Sequence, residues 1–270
     1  MDNFEYKQIF EKIKTIRNKG TVYTNFLPLM GEDSKKSYRA IYTENTVAFL
    51  KKEGCVDKLI FCSNNKDELI THLRETFADV SIDIFSKEKT IDDDFICNSG
   101  FQKSGLLQRI SFPDINMDEE TVMKDENLRD LYTCRDDNIG RFAEPGEESE
   151  IFNLLKRTFD LHVDHIPSKQ ELLEYYILNN KILLHRENGI ITTLISFDII
   201  GKKLFMFSVI NYSDYKKLCA LEMKLRNIIK TEGIHYMYTY VDLFNNRAIR
   251  YHKRRNARFE DFYNHIYTKA

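Results

Sequence analysis

The sequence predicts an α/β chain built on mixed sheets (α+β in its second half), in two parts, and three observations carry that reading. Strand-like residues 58–62 and 80–85 flank a helical pattern over residues 66–77, which reads as a β-α-β unit with parallel strands. Residues 181–185, 190–200 and 203–210 are three successive strand patterns separated only by Glu187-Asn188-Gly189 and Gly201, short enough for antiparallel hairpins. A helix over 218–231, a strand over 235–241, a basic helix after Asn246 and a strand over 259–267 complete the chain.

Taken in order, Phe4, Ile9, Phe10, Ile13 and Ile16 recur at helical spacing, and Asn18-Lys19-Gly20 supplies a stop. A less regular stretch follows, and residues 47–50 lead into Gly54. Asn98-Ser99-Gly100-Phe101 reads as a turn feeding a strand over 106–112. Residues 113–126 are acidic, with Asp114, Asp118, Glu119, Glu120, Asp125 and Glu126, and read as a solvated connector or helix. The domain boundary is expected near residue 135, giving domains 1–135 and 136–270. Ile151, Leu154, Leu155 and Phe159 mark an amphipathic helix over 147–159, and Ser168 followed by Glu171 is a capping box for the next. Leu221, Leu225, Ile228 and Ile229 share one face of the helix that Gly233 ends.

Composition excludes several classes. With 40 Lys+Arg against 42 Asp+Glu in 270 residues the net charge is -2, so no global field draws the chain to nucleic acid or an anionic membrane. No apolar run has the length of a membrane span, and Met1-Asp2-Asn3-Phe4-Glu5 lacks a signal-peptide pattern, so a cytoplasmic protein is expected. Cys55, Cys62, Cys97, Cys134 and Cys219 are odd in number and form no C-x-x-C, which reads as free thiols and not a disulfide framework or zinc site. His162-x-x-His165, with Asp164 between, has ligand-like spacing but no third partner nearby in sequence, so no metal is expected.

The most informative stretch is Val241-Asp242-Leu243-Phe244-Asn245-Asn246-Arg247-Ala248-Ile249-Arg250-Tyr251-His252-Lys253-Arg254-Arg255-Asn256. It resembles the closing motif of the GNAT-type N-acyltransferases, where a strand ends at Asn, a helix begins with Ala-Ile, a Tyr follows, and Gly-Phe opens the last strand. Asn245 and Ala248-Ile249 match, whereas His252 holds the Tyr position and Asn256-Ala257 the Gly-Phe position. The resemblance covers residues 141–270 and implies a GNAT-like C-terminal domain binding acetyl-CoA or another acyl-CoA. Its phosphate loop, Arg/Gln-x-x-Gly-x-Gly, falls on Ser213-Asp214-Tyr215-Lys216-Lys217-Leu218, so Lys216 and Leu218 stand where the family has glycine. The implied cofactor residues are Val209 and Ile210 beside the splay, Tyr215, Lys216, Lys217, Leu218 and Cys219 toward the diphosphate, and Asn245. Helix N-termini favour such anions through unpaired N–H groups and the helix dipole.

The same resemblance makes His252 the expected general acid for the leaving thiolate, with Tyr251 its alternative should the register slip by one. An amine acceptor also needs a base, and Asp198 or the period-two stripe Tyr236, Tyr238 and Tyr240 is a candidate. The implied activity is acyl transfer, most simply acetyl, to a small-molecule or peptide amine within a ternary complex. Two alternatives stay open: a non-catalytic GNAT-fold binding module, and an acyltransferase whose carrier-protein or aminoacyl-tRNA donor docks on the basic residues Arg247 to Arg255.

The first half echoes the second. Residues 54–65 resemble residues 233–246, and Asn98-Ser99-Gly100-Phe101 looks like the family's Gly-Phe. This implies a reduced, degenerate GNAT-like N-terminal domain that lacks both the three-strand meander and a glycine-rich loop before residue 113, shapes the acceptor cleft, and is itself non-catalytic.

Overall fold

The computed structural model describes residues 1–76, 79–117, 119–125, 129, 139–164 and 166–269. The chain divides into two compact units, one of Met1–Leu106, Leu161–His165 and Phe262–Ala270, the other of Leu107–Asp160 and Ile166–Asp261. Residue 135, the expected boundary, lies outside the described residues, as do Asp118, Glu126, Cys134 and His165.

The first unit opens with β1 (Asp2–Glu5) and α1 (Tyr6–Arg17), whose Tyr6, Ile9, Ile13 and Ile16 are buried at helical spacing. After β2 (Tyr23–Thr24) come β3 (Ser37–Tyr42), β4 (Thr46–Glu53) and β5 (Val56–Ser63), paired antiparallel in that order. The expectation that this half lacks a three-strand meander is thereby corrected. Its signal is weak because β3 turns only Tyr38 and Ala40 fully inward, between exposed Ser37 and Arg39. On one face α1 packs against Val47, Phe49 and Cys62; on the other, Leu69 and Leu73 of α2 (Lys66–Thr76) pack against Leu59 and Phe61. β6 (Val80–Ser86) runs parallel to β5 only at Asp57↔Val80 and Lys58↔Ser81, and α3 (Asp94–Cys97) follows. The unit's closing strand is the chain's C-terminus, paired antiparallel from Tyr263↔Ser86 to Lys269↔Val80.

The second unit takes the end of β7 (Gln102–Ser111), then α4 (Glu119–Lys124), β8 (Arg141–Phe142) and α5 (Glu148–Thr158). At α6 (Lys169–Glu171), which continues as a wider turn over Leu172–Ile177, the capping box forms: Glu171 N–H donates to Ser168 Oγ at 3.2 Å and Ser168 N–H to Glu171 Oε2 at 2.8 Å. β9 (Ile182–Glu187), β10 (Ile190–Ile200) and β11 (Lys203–Asn211) form the expected meander. α7 (Tyr215–Glu232) ends at Gly233, whose φ of 60° is the left-handed conformation that glycine adopts without strain. β12 (Tyr236–Asp242), α8 (Asn246–Arg254) and β13 (Arg258–Lys269) complete the order. The core lies between α7 and the sheet, where Leu218, Leu221, Leu225 and Ile229 meet Phe197, Leu204, Met206, Met237 and Val241.

Both units thus repeat one order: antiparallel meander, helix, parallel strand, closing antiparallel strand. In the second unit the closing strand is Leu107–Ser111 of β7, paired with Tyr238–Asp242. The sequence echo is therefore out of step, because residues 54–65 fall on the third meander strand, β5, and residues 233–246 on the following parallel strand, β12.

Candidate functional site

The second unit's sheet splits beside α7. β11 and β12 pair in parallel at Lys203↔Tyr236, Leu204↔Met237 and Phe205↔Tyr238, and among the described residues no strand pairs β11 on that side beyond Phe205. An extra residue, Phe207, between Ser196↔Ser208 and Phe197↔Met206 makes a bulge that bends β11 where the strands part. Val209 is half-buried against the α7 core and Ile210 is buried, so both stand on the strand that borders the split.

β11 leads directly into the first turn of α7. Asp214 caps this helix: its carboxylate accepts the Lys216 N–H at 3.0 Å and its carbonyl accepts the Lys217 N–H at 3.0 Å. Lys216 is exposed and Lys217 half-buried, whereas the side chains of Leu218 and Cys219 turn into the interior. Of the predicted cofactor residues of this turn, the two lysines and Tyr215 reach solvent, beside the exposed Asp214.

Tyr215, Cys219 and Glu222 stand at i, i+4 and i+7 on α7, hence on one face, and that face meets the last turn of α8. Arg255 is only 4% exposed; its Nη2 donates to Glu222 Oε2 at 2.7 Å and to Cys219 Sγ at 3.3 Å, and its guanidinium lies 5.1 Å from the Tyr215 ring centre and 5.8 Å from that of Tyr251. The Tyr251 hydroxyl donates to the other Glu222 oxygen. Burial, reinforced by the Glu222 charge, pushes the Tyr251 hydroxyl well above the usual phenol range. His252 is buried edge-on to Phe112, 5.8 Å between ring centres, and burial together with Arg255 pushes its pKa down to about 4. The imidazole is neutral at pH 7. Sequence reasoning counted Arg255 among the basic residues of a docking surface; the structure corrects this, since its charge is buried and paired with Glu222. The signal was Glu222, too distant in sequence to be recognised as the partner.

Asn245 is the N-cap of α8, its Oδ1 accepting the Ala248 N–H at 3.0 Å, and Asn256 ends the helix at φ 52°, a left-handed conformation Asn tolerates. Asp198 is held elsewhere, across from Phe205 on β11. It accepts from Tyr175 Oη at 3.0 and 2.9 Å and from Lys181 Nζ at 2.6 Å. The predicted stripe forms: Tyr236, Tyr238 and Tyr240 follow one another with ring centres 5.4 and 6.3 Å apart, and Phe205 stacks on Tyr238 at 5.1 Å. At its end Glu260 accepts from Tyr236 Oη and Arg109 Nε, both at 2.7 Å. Burial and the Glu260 bond push the Tyr236 hydroxyl up to about 12. Neither Arg109 nor Glu260 was legible as part of this group, because they come from β7 and β13. Among the described residues no group of three His, Cys, Asp or Glu could hold a metal, and no helix is long and apolar enough to cross a membrane. Among the described residues Cys55, Cys62, Cys97 and Cys219 form no disulfide.

No family model and no curated protein matches the sequence. Solved structures do match in shape. A GCN5-related N-acetyltransferase from Sphaerobacter thermophilus is 11% identical with a TM-score of 0.53, over 83% of this chain and 76% of that one. A GNAT-family acetyltransferase from Colwellia psychrerythraea is 10% identical with a TM-score of 0.50, over 98% and 97%. A GNAT-family structure from Novosphingobium aromaticivorans DSM 12444 is 12% identical with a TM-score of 0.51, over 86% and 91%. The chain has a GNAT-type fold. On that GNAT frame, Val209, Ile210, Tyr215, Lys216 and Lys217 gather around the split and the start of α7, Tyr251 and His252 lie on α8, and Asp198 is committed to Lys181 and Tyr175.

Proposed function

We propose that the second unit is an acyl-CoA-dependent N-acyltransferase, most simply an acetyltransferase, that acts on a small-molecule or peptide amine in the cytosol. The observation that carries this reading is the open edge of β11 running straight into the N-terminus of α7. An unpaired strand edge accepts an extended amide-bearing chain by adding hydrogen bonds, and a helix start favours the anion at that chain's end. The residues fit such a molecule: Val209 and Ile210 border the split, and Lys216 and Lys217 supply charge where the glycines are missing. When bound, acyl-CoA supplies the activated acyl carbon.

The remaining chemistry falls to the chain's own groups. Of the two proton carriers on α8, Tyr251 keeps its proton across the neutral range, and its hydroxyl is oriented by Glu222. His252, being neutral, has no readily released proton at pH 7. Tyr251 is therefore assigned as the proton donor, and His252 as its packed neighbour. The Asp198 carboxylate is taken up by Lys181 and Tyr175, and the tyrosine stripe forms an aromatic wall for the acceptor.

Saturating acetyl-CoA should raise the melting temperature, and Lys216→Glu with Lys217→Glu should abolish the rise while the fold survives. A protein that shows no shift with any acyl-CoA at millimolar concentration is not an acyl-CoA enzyme. One observation favours a second reading, that of a non-catalytic GNAT-fold module: the Asp214 carboxylate already occupies the Lys216 amide.

A further inference from the structure

The first unit has the same split, and the chain itself fills it. β5 and β6 pair only at Asp57↔Val80 and Lys58↔Ser81, as β11 and β12 pair only at their first residues. Beyond Lys58 the edge of β5 is not open. Thr24 lies opposite Cys62 and Tyr23 opposite Ser63 in an antiparallel ladder. The Asn25 carboxamide spans the gap between this ladder and β6, its Nδ2 donating to the Leu59 carbonyl at 2.8 Å and its Oδ1 accepting the Phe61 N–H at 2.8 Å. A residue in a parallel ladder bonds the carbonyl before and the N–H after its opposite residue, so Asn25 stands in for a strand residue opposite Ile60. The Phe61 carbonyl accepts the Thr24 hydroxyl at 2.9 Å and the Asn25 N–H at 3.3 Å.

The segment is anchored as well as bonded. Phe26 is buried among Tyr6, Phe10 and Tyr38, its carbonyl accepts from Arg17 Nη2 at 3.2 Å, and its N–H donates to the Thr24 hydroxyl at 3.0 Å. Three successive residues thus satisfy the groups that a bound extended ligand would otherwise pair, and a backbone edge holds one partner at a time.

We infer that Tyr23–Phe26 is a built-in occupant of the first unit's split, so that the chain carries a single acyl-CoA site, in the second unit. The count rests on the acyl-CoA reading; the occupancy does not.

Two measurements on the full chain separate them. Calorimetric titration with acetyl-CoA should give one site per chain, and none in the Lys216→Glu/Lys217→Glu variant; two sites, or a site surviving in that variant, would overturn the inference. Without any ligand, the Phe61 amide should exchange slowly with deuterium, and Asn25→Ala should speed its exchange by about tenfold or more while other core amides hold. Unchanged Phe61 exchange in Asn25→Ala would show that the segment does not close the edge. Absence of all acyl-CoA binding together with fast Phe61 exchange in Asn25→Ala would refute the acyl-CoA reading and the one-site count, leaving the occupied edge established.

Discussion

His252 shows how far a residue's type can mislead about its chemistry. A histidine near its ordinary pKa is a natural proton carrier at pH 7. Here burial and Arg255 favour the neutral ring, moving its pKa from 6.5 to about 4. The folded pKa lies below the unfolded one, so the stability that the neutral ring contributes is complete above pH 6.5 and is lost as pH falls toward 4. The full shift corresponds to about 3 kcal/mol. Urea unfolding at pH 7 and pH 4.5 should show most of that loss in the wild type, and His252→Gln should lack it. At pH 7 the same variant should turn over near the wild-type rate, whereas Tyr251→Phe should fall roughly a hundredfold; the reverse ranking would restore His252 as the acid. The motif placed His252 on its helix correctly. Its burial was hidden because it depends on Phe112 and Arg255, and the partner of Arg255 lies 33 residues away on another helix.

At the scale of elements, the start of α7 is the decisive piece, and most of it was legible. Periodicity gave the meander, the helix and its Gly233 stop, because apolar residues recur at the period of each element. What periodicity does not carry is the loss of pairing beyond Phe205, which depends on the paths of two strands in space. The cap was readable in retrospect, since Asp is a preferred N-cap residue. It also makes a prediction: Asp214→Asn keeps an oxygen for the Lys216 amide but removes a negative charge from the proposed diphosphate position. Titration should find acetyl-CoA bound several-fold more tightly, with the melting temperature of the free protein changed by little. Weaker binding in that variant would mean that the diphosphate does not sit at this turn. In the first half the elements were harder to read, because β3 turns only Tyr38 and Ala40 inward, and β4 buries Thr46 to Phe49 as an unbroken run before Lys51 and Lys52, so it shows no alternation.

Over the whole molecule, a linear split into two domains misses a reciprocal exchange. Residues 263–269 close the sheet of the first unit, and Leu107–Ser111 closes that of the second. No local pattern reports such a partner, since a strand's periodicity shows which face it buries and not which edge it joins. A fragment of residues 1–135 thus lacks the closing strand of its own unit, and a fragment of residues 136–270 lacks the strand beside β12. Each fragment made alone should be insoluble, and the two made together should yield a soluble one-to-one complex on gel filtration. If residues 136–270 alone gave a soluble, cooperatively melting protein, β7 would be dispensable to the second unit.

The exchange also bears on synthesis. A chain leaves the ribosome N-terminus first at roughly 5–20 residues per second, so β6 emerges about ten seconds or more before the strand that closes it. Through that interval the apolar face of Val80 and Ile82 has α2 to cover it, while the hydrogen-bonding edge of β6 on the far side from β5 has no native partner. The nascent first unit is a waiting template, open to wrong strands until Tyr263–Lys269 emerge.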